Sequence, residues 1–283
     1  METIKLNNGV EMPLLGYGVF QVELKECERC VSDAISEGYR LIDTAQAYYN
    51  EEGVGEAINK STVKREDLFI TTKVWISNAS EKKAETSIDE SLRKLKTEYI
   101  DLLLIHQPFG DYYGTYRAME KALRTGKARA IGVSNFRPDR FIDLVKHVEI
   151  IPMVNQLETN VFSQQREMRE LMPRSDTKLM AWAPMAEGQH NFFRHELLSA
   201  IGANYGKSAA QVGLRFLTQQ GVVAIPKSTH LNRMKQNLNS MDFSLSTDEL
   251  KIIEKLNLQD GGNVKFTDPQ FVDFILTNFG ESK

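Results

Sequence analysis

The stretch YIDLLLIHQPFGDYYGTYRAMEKALRTGKARAIGVS, residues 99–134, contains one complete strand–helix–strand unit. The short apolar runs at 99–106 and 128–134 are typical of buried strands. Between them, the apolar residues of 115–127 recur every three or four positions, which predicts an amphipathic helix. A connection of this length indicates parallel strands, because antiparallel neighbours can be joined by a tight turn.

The same unit recurs along the whole chain. Short apolar runs separated by segments of helical period lie at 14–18, 40–43, 68–73, 99–106, 128–134, 152–158, 178–184 and 222–226. Eight strands alternating with helices predict an α/β fold, a closed (β/α)8 TIM barrel rather than an open doubly wound sheet. No linker interrupts the series, so we expect residues 1–283 to form a single domain.

Two additions to the barrel are expected. The Asn8-Gly9 turn between alternating apolar residues predicts a β-hairpin before the first barrel strand. The segment at 192–206 and the region after 231 predict extra helices near the C-terminus.

Composition is typical of a globular protein and argues against several classes of partner. Hydrophobic residues make up 41% of the chain and charged residues 26%, enough for a sizeable core. The net charge is −3 and the basic residues are scattered, so we expect no nucleic-acid partner. No apolar run approaches the roughly 20 residues that cross a bilayer, and no signal peptide opens the chain. We therefore expect no membrane association and a cytoplasmic location.

The only cysteines, Cys27 and Cys30, fall in a predicted helix, which would set them one turn apart on neighbouring surface. A structural zinc site needs about four ligands, and neither a second Cys pair nor a nearby His pair completes one. We expect no bound metal. Two reduced helix thiols are the favoured interpretation, and a thiol switch stays an open alternative.

Polar side chains end several of the predicted strands. Asp43, Lys73 and His106 end the second, third and fourth strands of the barrel, and Tyr48 follows the second within one short loop. Alone, a buried His or Lys at a strand end is more often structural. In a (β/α)8 barrel, however, the C-terminal strand ends converge on the face that carries active sites. We therefore expect these four side chains to meet.

Such a group is suited to protonating a carbonyl oxygen while hydride reaches the carbonyl carbon. A phenol titrates near pH ~10, and an adjacent ammonium favours the phenolate, so Lys73 would lower the pKa of Tyr48, the acid. Asp43 would contribute to this lowering of the Tyr48 pKa by keeping Lys73 ionised and oriented, since burying a lone ammonium is costly. His106 could donate a hydrogen bond to the substrate oxygen and fix its direction.

These residues lie in segments that resemble the aldo-keto reductase family. The matching segments follow in order over nearly the whole chain: GYGVFQ, LIDTAQAYYNE, ITTKVW, LLIHQP, IGVSNF, NQLE and IPKSTHLNRMKQN. The chain is most similar to the short prokaryotic members of the 2,5-diketo-D-gluconate reductase type. The resemblance implies a barrel that reduces aldehydes or ketones to alcohols with NAD(P)H. Asp43, Tyr48, Lys73 and His106 match the family's catalytic tetrad.

The resemblance also implies where the cofactor binds. The expected contacts are Gly18, Val19, Phe20, Ser134, Asn135, Gln156, Trp182, Ala183, Pro184, Met185, Ile225, Pro226, Lys227, Ser228, Thr229, Arg233, Gln236 and Asn237. Among them, Ser134, Asn135 and Gln156 match positions that pair with the nicotinamide carboxamide. Trp182 matches the ring that stacks on the nicotinamide, although core packing would also explain it.

The segment IPKSTHLNR bears on the choice of cofactor. Lys227, Ser228 and Arg233 could grip an adenosine 2′-phosphate, so NADPH is favoured, with NADH possible at lower affinity. A solvated basic loop is the alternative. Gln236 stands where family members often carry Glu, but its amide can still pair with adenine. Gly16 and Gly18 match a position beside the cofactor, but the rest of the dinucleotide fingerprint is absent, so no Rossmann turn is expected.

Substrate contacts follow less directly. The expected residues are Phe20, Tyr48, Trp75, His106, Phe109 and the tail at 265–279, whose aromatic rings could wall an apolar pocket. Phe20, Trp75, Phe109 and the tail aromatics are equally well explained as core. Val161 stands where the family usually has Pro, and loops at the barrel mouth vary in the family, so the physiological substrate stays open.

Two other functions compete with a monomeric reductase of small carbonyl substrates. A regulatory subunit on the same barrel could bind NADPH with little turnover and act on a protein partner. The complete set of Asp43, Tyr48, Lys73 and His106 favours turnover, because a sensor need not keep the proton donor. A barrel hydrolase would need paired carboxylates or clustered metal ligands at strand ends, which the sequence lacks.

Overall fold

The computed structural model describes residues 2–258, 262, 264 and 266–280. The chain opens with the predicted hairpin, in which β1 (Thr3–Lys5) pairs antiparallel with β2 (Glu11–Pro13). In the hairpin turn, Asn8 Nδ2 donates to the backbone carbonyl of Arg129 at 2.8 Å. Because Arg129 lies at the start of a barrel strand, the hairpin contacts the N-terminal end of the barrel.

Eight parallel strands form the barrel, and their order in the sheet is their order in the chain. Their bounds are β3 (Tyr17–Gly18), β4 (Leu41–Asp43), β5 (Phe69–Val74), β6 (Ile100–Ile105), β7 (Ala128–Ser134), β8 (Val154–Glu158), β9 (Lys178–Trp182) and β10 (Val223–Ala224). The backbone N–H of Gly16 donates to Ala224 at 2.8 Å, and that of Ala224 donates to Leu14 at 2.9 Å. These bonds join the first strand to the last, so the predicted (β/α)8 fold is confirmed.

Helices connect the strands. Their bounds are α1 (Leu24–Glu37), α2 (Glu51–Lys60), α3 (Glu81–Leu95), α4 (Tyr112–Arg124), α5 (Pro138–His147), α6 (Arg166–Leu171), α7 (Glu196–Tyr205), α8 (Ala209–Thr218), α9 (Leu231–Leu238), α10 (Thr247–Glu254) and α11 (Pro269–Phe279). Two helices, α7 and α8, lie between β9 and β10, and α9 to α11 follow the last strand. The predicted extra helices near the C-terminus are confirmed. Among the described helices, none combines the length and the apolar character needed to span a bilayer.

Local chemistry explains the bounds of these helices, as α3 illustrates. The hydroxyl of Ser80 accepts a hydrogen bond from the backbone N–H of Lys83 at 3.3 Å and caps the N-terminus. Ile88 and Leu95, two turns apart, are buried on the face that packs on the barrel. Lys96 takes the left-handed conformation, with φ of 53°, and the helix ends there.

The cysteines lie on α1, as predicted, but they face inward. Cys27 and Cys30 are free thiols and fully buried, so the expected position on neighbouring surface was wrong. Burial, followed by the proximity of Cys30, raises the pKa of the Cys27 thiol to about 12. A buried thiol that stays protonated reacts poorly, which weakens the thiol-switch alternative. Within the described part of the chain, no group of three His, Cys, Asp or Glu side chains could hold a metal.

A buried aspartate ties three strands together near the N-terminal end of the barrel. Asp101, the second residue of β6, accepts a hydrogen bond from the backbone N–H of Ile70 on β5 at 2.9 Å. Its fully buried carboxylate also pairs with Arg129 on β7 at 2.6 Å and with Arg65 at 2.7 Å. The carboxylate therefore links β5, β6 and β7.

We expect Asp101→Ala to lower the free energy of unfolding by about 3 kcal/mol, because it removes the carboxylate partner of two guanidinium groups. Asp89→Ala is the matched control, since its carboxylate pairs with Lys127 on the surface. That change is expected to cost less than about 1 kcal/mol. Urea denaturation measures both values, and equal losses in the two variants would contradict the role assigned to Asp101.

Candidate active site

The C-terminal ends of β4, β5 and β6 bring the predicted tetrad together. Lys73 Nζ, which is fully buried, lies 2.6 Å from Oδ1 of Asp43 and 3.3 Å from the hydroxyl of Tyr48. Tyr48 ends the short 3-10 helix Gln46–Tyr48 that follows β4. Its ring meets His106 edge to face, with 5.5 Å between ring centroids. The expected contact between the ammonium and the phenol is present on the expected face of the barrel.

The pKa of Tyr48 departs from the expectation. Burial is the largest influence and raises the pKa of the phenol; the charge of Lys73 lowers it, and the carboxylate of Asp43 raises it again. The net direction is upward, so the expectation that Lys73 and Asp43 together bring the pKa of Tyr48 below its ordinary value was wrong. Lys73 acts as expected but is outweighed by burial, and Asp43 acts in the opposite sense. A phenol with a raised pKa keeps its proton, which suits a donor.

The ion pair beneath the phenol has support that the sequence did not reveal. Burial disfavours the ammonium of Lys73, but Asp43 and Tyr48 outweigh it and raise its pKa above the ordinary value. Burial raises the pKa of Asp43, and Lys73 and Gln156 oppose that rise. Gln156 Nε2 donates to Oδ2 of Asp43 at 2.8 Å, across 113 residues of sequence. A nitrogen–oxygen distance of 2.6 Å between Lys73 and Asp43 is that of a charge-assisted bond, in which both groups are ionised.

His106 is held neutral. Burial lowers its pKa well below the ordinary value, and the charge of Lys73 lowers it further. Its Nδ1 is buried and has no hydrogen-bond partner among the described residues. The ring of Trp75 packs on it edge to face at 4.8 Å. A neutral imidazole has one N–H to donate, which matches the predicted task of orienting a carbonyl.

The residues expected to hold the nicotinamide lie within β8, at the ends of β7 and β9 and just after β7, and they bond to one another. Asn135 Oδ1 accepts from the indole N–H of Trp182 at 2.9 Å, and Asn135 Nδ2 donates to the backbone carbonyl of His106 at 3.1 Å. Ser134 Oγ donates to the backbone carbonyl of Gln156 at 2.9 Å. Asn135 has φ of 65°, a region that asparagine tolerates well. Trp182 is therefore oriented by a specific bond and not by core packing alone.

The first strand carries glycines for a steric reason. A Cβ on Gly18 would lie 3.0 Å from the backbone carbonyl of Ile225, and the Gly18 N–H donates to the carbonyl of Pro226 at 3.2 Å. A Cβ on Gly16 would lie 2.2 Å from Cδ2 of Leu41. Packing against the neighbouring strands therefore explains Gly16, and contact between β3 and the segment after β10 explains Gly18.

The residues expected at the 2′-phosphate lie in the loop after β10 and on α9. Lys227 and Arg233 are exposed, and neither forms an ion pair with a described residue; Ser228 is buried. The hydroxyl of Tyr17 donates to the backbone carbonyl of Ser228 at 2.6 Å, a contact that the sequence analysis missed. Its only sequence signal is a tyrosine between two glycines.

Other expected cofactor residues occupy neighbouring loops and α9. Ala183, Pro184 and Met185 follow β9 directly, and Ala183 has φ of 45°. On α9 and just before it, Thr229 is half-buried, Gln236 is exposed and Asn237 is buried. The structure thus presents Gln236 to solvent but turns Asn237 inward.

Two of the three aromatic rings expected at the substrate lie beside the tetrad. Phe20 is 50% exposed, and its ring lies 5.0 Å from that of Tyr48. The ring of Trp75 packs on that of His106. Phe109 is half-buried and forms no ring contact with a described aromatic side chain. The structure therefore connects Phe20 and Trp75, but not Phe109, with the tetrad.

The C-terminal tail also reaches the site. The ring of Phe279 on α11 lies 6.1 Å from Trp75, and that of Phe266 lies 6.4 Å from Trp182. Lys265, at the start of the predicted tail, lies outside the described residues. Aromatic residues of the tail therefore lie near Trp75 and near Trp182.

The fold and this cluster define a barrel oxidoreductase, and the model of the Aldo/keto reductase family matches residues 15–258. The chain belongs to that family. Glyoxal reductase of Bacillus subtilis (strain 168) is 46% identical over 90% of this chain and 93% of its own length. A variant of Gox0644 solved in complex with NADPH has a TM-score of 0.89 at 31% identity, covering 94% of this chain and 97% of that chain.

A second solved structure, of a proposed 2,5-diketo-D-gluconic acid reductase B, has a TM-score of 0.90 at 36% identity. It covers 94% of this chain and 95% of that chain. The predicted resemblance to the family and to its diketogluconate reductase-type members is confirmed.

The lowered pKa of His106 predicts a pH-dependent stability. Below pH ~6.5 the unfolded chain takes up a proton at this histidine and the folded chain does not, so stability falls as pH falls. Relative to His106→Gln, the natural protein is expected to lose about 2 kcal/mol of unfolding free energy between pH 7 and pH 5. Denaturant titrations at the two pH values measure the difference. A stability difference independent of pH would show that His106 titrates normally.

Proposed function

We propose that this protein is an NADPH-dependent carbonyl reductase in which Tyr48 donates a proton to the carbonyl oxygen. The observation that carries the proposal is the position of Lys73 Nζ, 2.6 Å from Asp43 and 3.3 Å from the Tyr48 hydroxyl, in a fully buried site. Membership of the Aldo/keto reductase family supports the reaction class. NADPH, when bound, supplies the hydride.

The tetrad divides the work of proton transfer. Tyr48 holds its proton in the resting site because burial disfavours the phenolate. When the proton leaves, the ammonium of Lys73 is already in place to stabilise the negative phenolate oxygen. Asp43 keeps that ammonium charged and directed at the phenol. Preorganised charges of this kind need no rearrangement at the moment of reaction.

The role proposed for His106 is to orient the substrate. A neutral ring can donate a hydrogen bond to a carbonyl oxygen without adding a second full positive charge beside Lys73. Its edge contacts with Tyr48 and Trp75 limit ring rotation. The carbonyl oxygen would then be directed towards the phenolic proton.

The residues available to a dinucleotide suit one that carries an extra phosphate. Lys227, in the loop after β10, and Arg233, on α9, are exposed cations, a composition that favours NADPH over NADH. Trp182, Asn135 and Ser134 offer a flat ring and polar groups for a nicotinamide amide. The solved relative in complex with NADPH supports the same choice.

The name of the Bacillus subtilis relative makes glyoxal the natural first substrate to assay. Phe20 and Trp75 provide aromatic surface beside the tetrad, which also suits larger apolar carbonyl compounds. A single domain, a monomeric state and a cytoplasmic location stay predictions. The regulatory-subunit alternative has no supporting observation, since all four tetrad residues are present and in contact.

Tyr48→Phe is expected to lower kcat with glyoxal about 10²- to 10⁴-fold, because it removes only the proton donor. NADPH affinity, measured by quenching of protein fluorescence, is expected to stay within about twofold. Tyr49→Phe is the matched control, because the adjacent Tyr49 is 78% exposed. Equal NADPH oxidation by Tyr48→Phe and the natural protein would eliminate Tyr48 as the acid.

Lys227→Ala and Arg233→Ala are each expected to weaken NADPH binding about tenfold, since each removes a charge-assisted contact to the 2′-phosphate. NADH binding is expected to change little. Lys235→Ala is the control. Lys235 is an exposed lysine on α9, the helix that also carries Arg233, and it pairs with Glu37 at 3.3 Å. Fluorescence titration with both nucleotides measures the ratio of the Kd for NADH to that for NADPH. Equal weakening of NADPH and NADH binding would argue against a 2′-phosphate grip.

A further inference from the structure

Two aromatic rings contact the tetrad, and they come from different parts of the barrel. The ring of Phe20, in the segment after β3, lies 5.0 Å from Tyr48. The ring of Trp75, in the segment after β5, lies 4.8 Å from His106. The space between the two rings is therefore set by whatever ties both segments to the segment that carries Tyr48.

Asn50, two residues after Tyr48, holds the segment that carries Phe20. It is fully buried, and its Nδ2 donates to the backbone carbonyls of Val19 at 2.9 Å and Val22 at 3.0 Å, on either side of Phe20. Both amide hydrogens are thus used in one short loop. Its Oδ1 accepts from the hydroxyl of Thr44 at 2.8 Å, and this bond fixes the orientation of the amide.

Thr44 connects this amide with the tetrad. Its backbone carbonyl accepts a hydrogen bond from Lys73 Nζ at 2.9 Å, while its hydroxyl bonds to Asn50. Movement of the Phe20 loop is therefore coupled to the segment that holds the ammonium and the phenol. The contacts involved are buried hydrogen bonds, which are costly to leave unpaired.

Gln46, two residues before Tyr48, holds the segment that carries Trp75. Its Oε1 accepts from the backbone N–H of Trp75 at 2.9 Å and from Asn78 Nδ2 at 2.9 Å. Its Nε2 donates to the backbone carbonyl of Ser87 at 3.2 Å and to Ser91 Oγ at 3.1 Å, both on α3. The side chain therefore joins the acid-bearing segment, the start of the Trp75 loop and an outer helix.

We infer that Gln46 and Asn50 are positioning residues that set the separation of Trp75 and Phe20, and through it the KM for a flat aromatic aldehyde. The inference rests on the proposed function, because it concerns the substrate of the same site. Neither amide needs to touch the substrate; each acts through the ring that it holds. A planar aromatic aldehyde would use both rings, whereas a two-carbon dialdehyde is too small to depend on them.

Gln46→Met tests the Trp75 side, because methionine has a similar size and forms no comparable hydrogen bonds. We expect KM for benzaldehyde to rise about tenfold, while kcat for glyoxal and its pH profile stay within about twofold. Gln220→Met is the matched control. Gln220, which precedes β10, is also half-buried, and its side chain hydrogen-bonds to Phe216 and Arg169. This control is expected to leave KM for benzaldehyde and kcat for glyoxal unchanged.

A double-mutant cycle separates positioning from general loss of structure. In a Trp75→Leu background, Gln46→Met is expected to have no further effect on KM for benzaldehyde. Asn50→Ser in a Phe20→Leu background is expected to behave in the same way. The same tenfold rise in both the natural and the Leu backgrounds would overturn the inference, because it would mean that the amides do not act through the rings.

A measurement without substrate or cofactor keeps the inference separate from the proposed function. The chain has two tryptophans, so ¹⁹F NMR of the 5-fluorotryptophan protein gives two resonances, which Trp182→Phe assigns. Gln46→Met is expected to shift the Trp75 resonance and leave that of Trp182 in place; an unmoved Trp75 resonance would overturn the inference.

If the natural protein reduces neither aldehyde, the proposed function fails, but the NMR result still decides whether Gln46 positions Trp75. Because Gln46 is only half-buried, its variant carries this test even if Asn50→Ser does not fold.

Discussion

The site depends on one buried ion pair, between Lys73 and Asp43. An ammonium without any exposed surface is costly to desolvate, and it stays charged only because a carboxylate lies 2.6 Å away. Gln156 in turn satisfies the second oxygen of that carboxylate at 2.8 Å. Burial is the main cause of the neutral state of His106 and of the raised pKa of the phenol, and the charge of Lys73 adds to the first effect and opposes the second. The barrel can maintain the ion pair because three neighbouring strand ends deliver the groups to one place.

The two ends of the barrel use buried carboxylates for different purposes. At the N-terminal end, Asp101 is paired with Arg65 and Arg129 and bonds to the backbone of the neighbouring strand, which consolidates the sheet. At the C-terminal end, Asp43 holds a cation whose other neighbour is a phenolic hydroxyl. Both carboxylates are fully or nearly fully buried, but only the second faces a group that can give up a proton. This separation of stability from chemistry is typical of the fold.

The loops add a second level of order around the tetrad. The short segment from Thr44 to Asn50 carries Tyr48, the proposed acid, and hydrogen bonds fix it at both ends, to the loop after β3 and to the loop after β5. Loops at the mouth of a barrel are usually its most variable part. Here Asn50 and Gln46 of that one segment bond to the backbone beside Phe20 and at Trp75, so its local sequence influences the shape of the entrance beside the tetrad.

The sequence by itself determined the barrel, the hairpin, the positions of all eight strands and the proximity of Asp43, Tyr48, Lys73 and His106. It could do so because hydrophobic periodicity is a local property, and because the topology of alternating strands and helices brings every C-terminal strand end to one face. Only the tertiary structure decided the bond between Gln156 and Asp43, 113 residues apart, and that between Tyr17 and Ser228, 211 residues apart. It also decided the inward orientation of Cys27 and Cys30 and the direction of the Tyr48 pKa. Those depend on which atoms surround a group in three dimensions, since burial, unlike residue type or spacing, is a property of the packed chain.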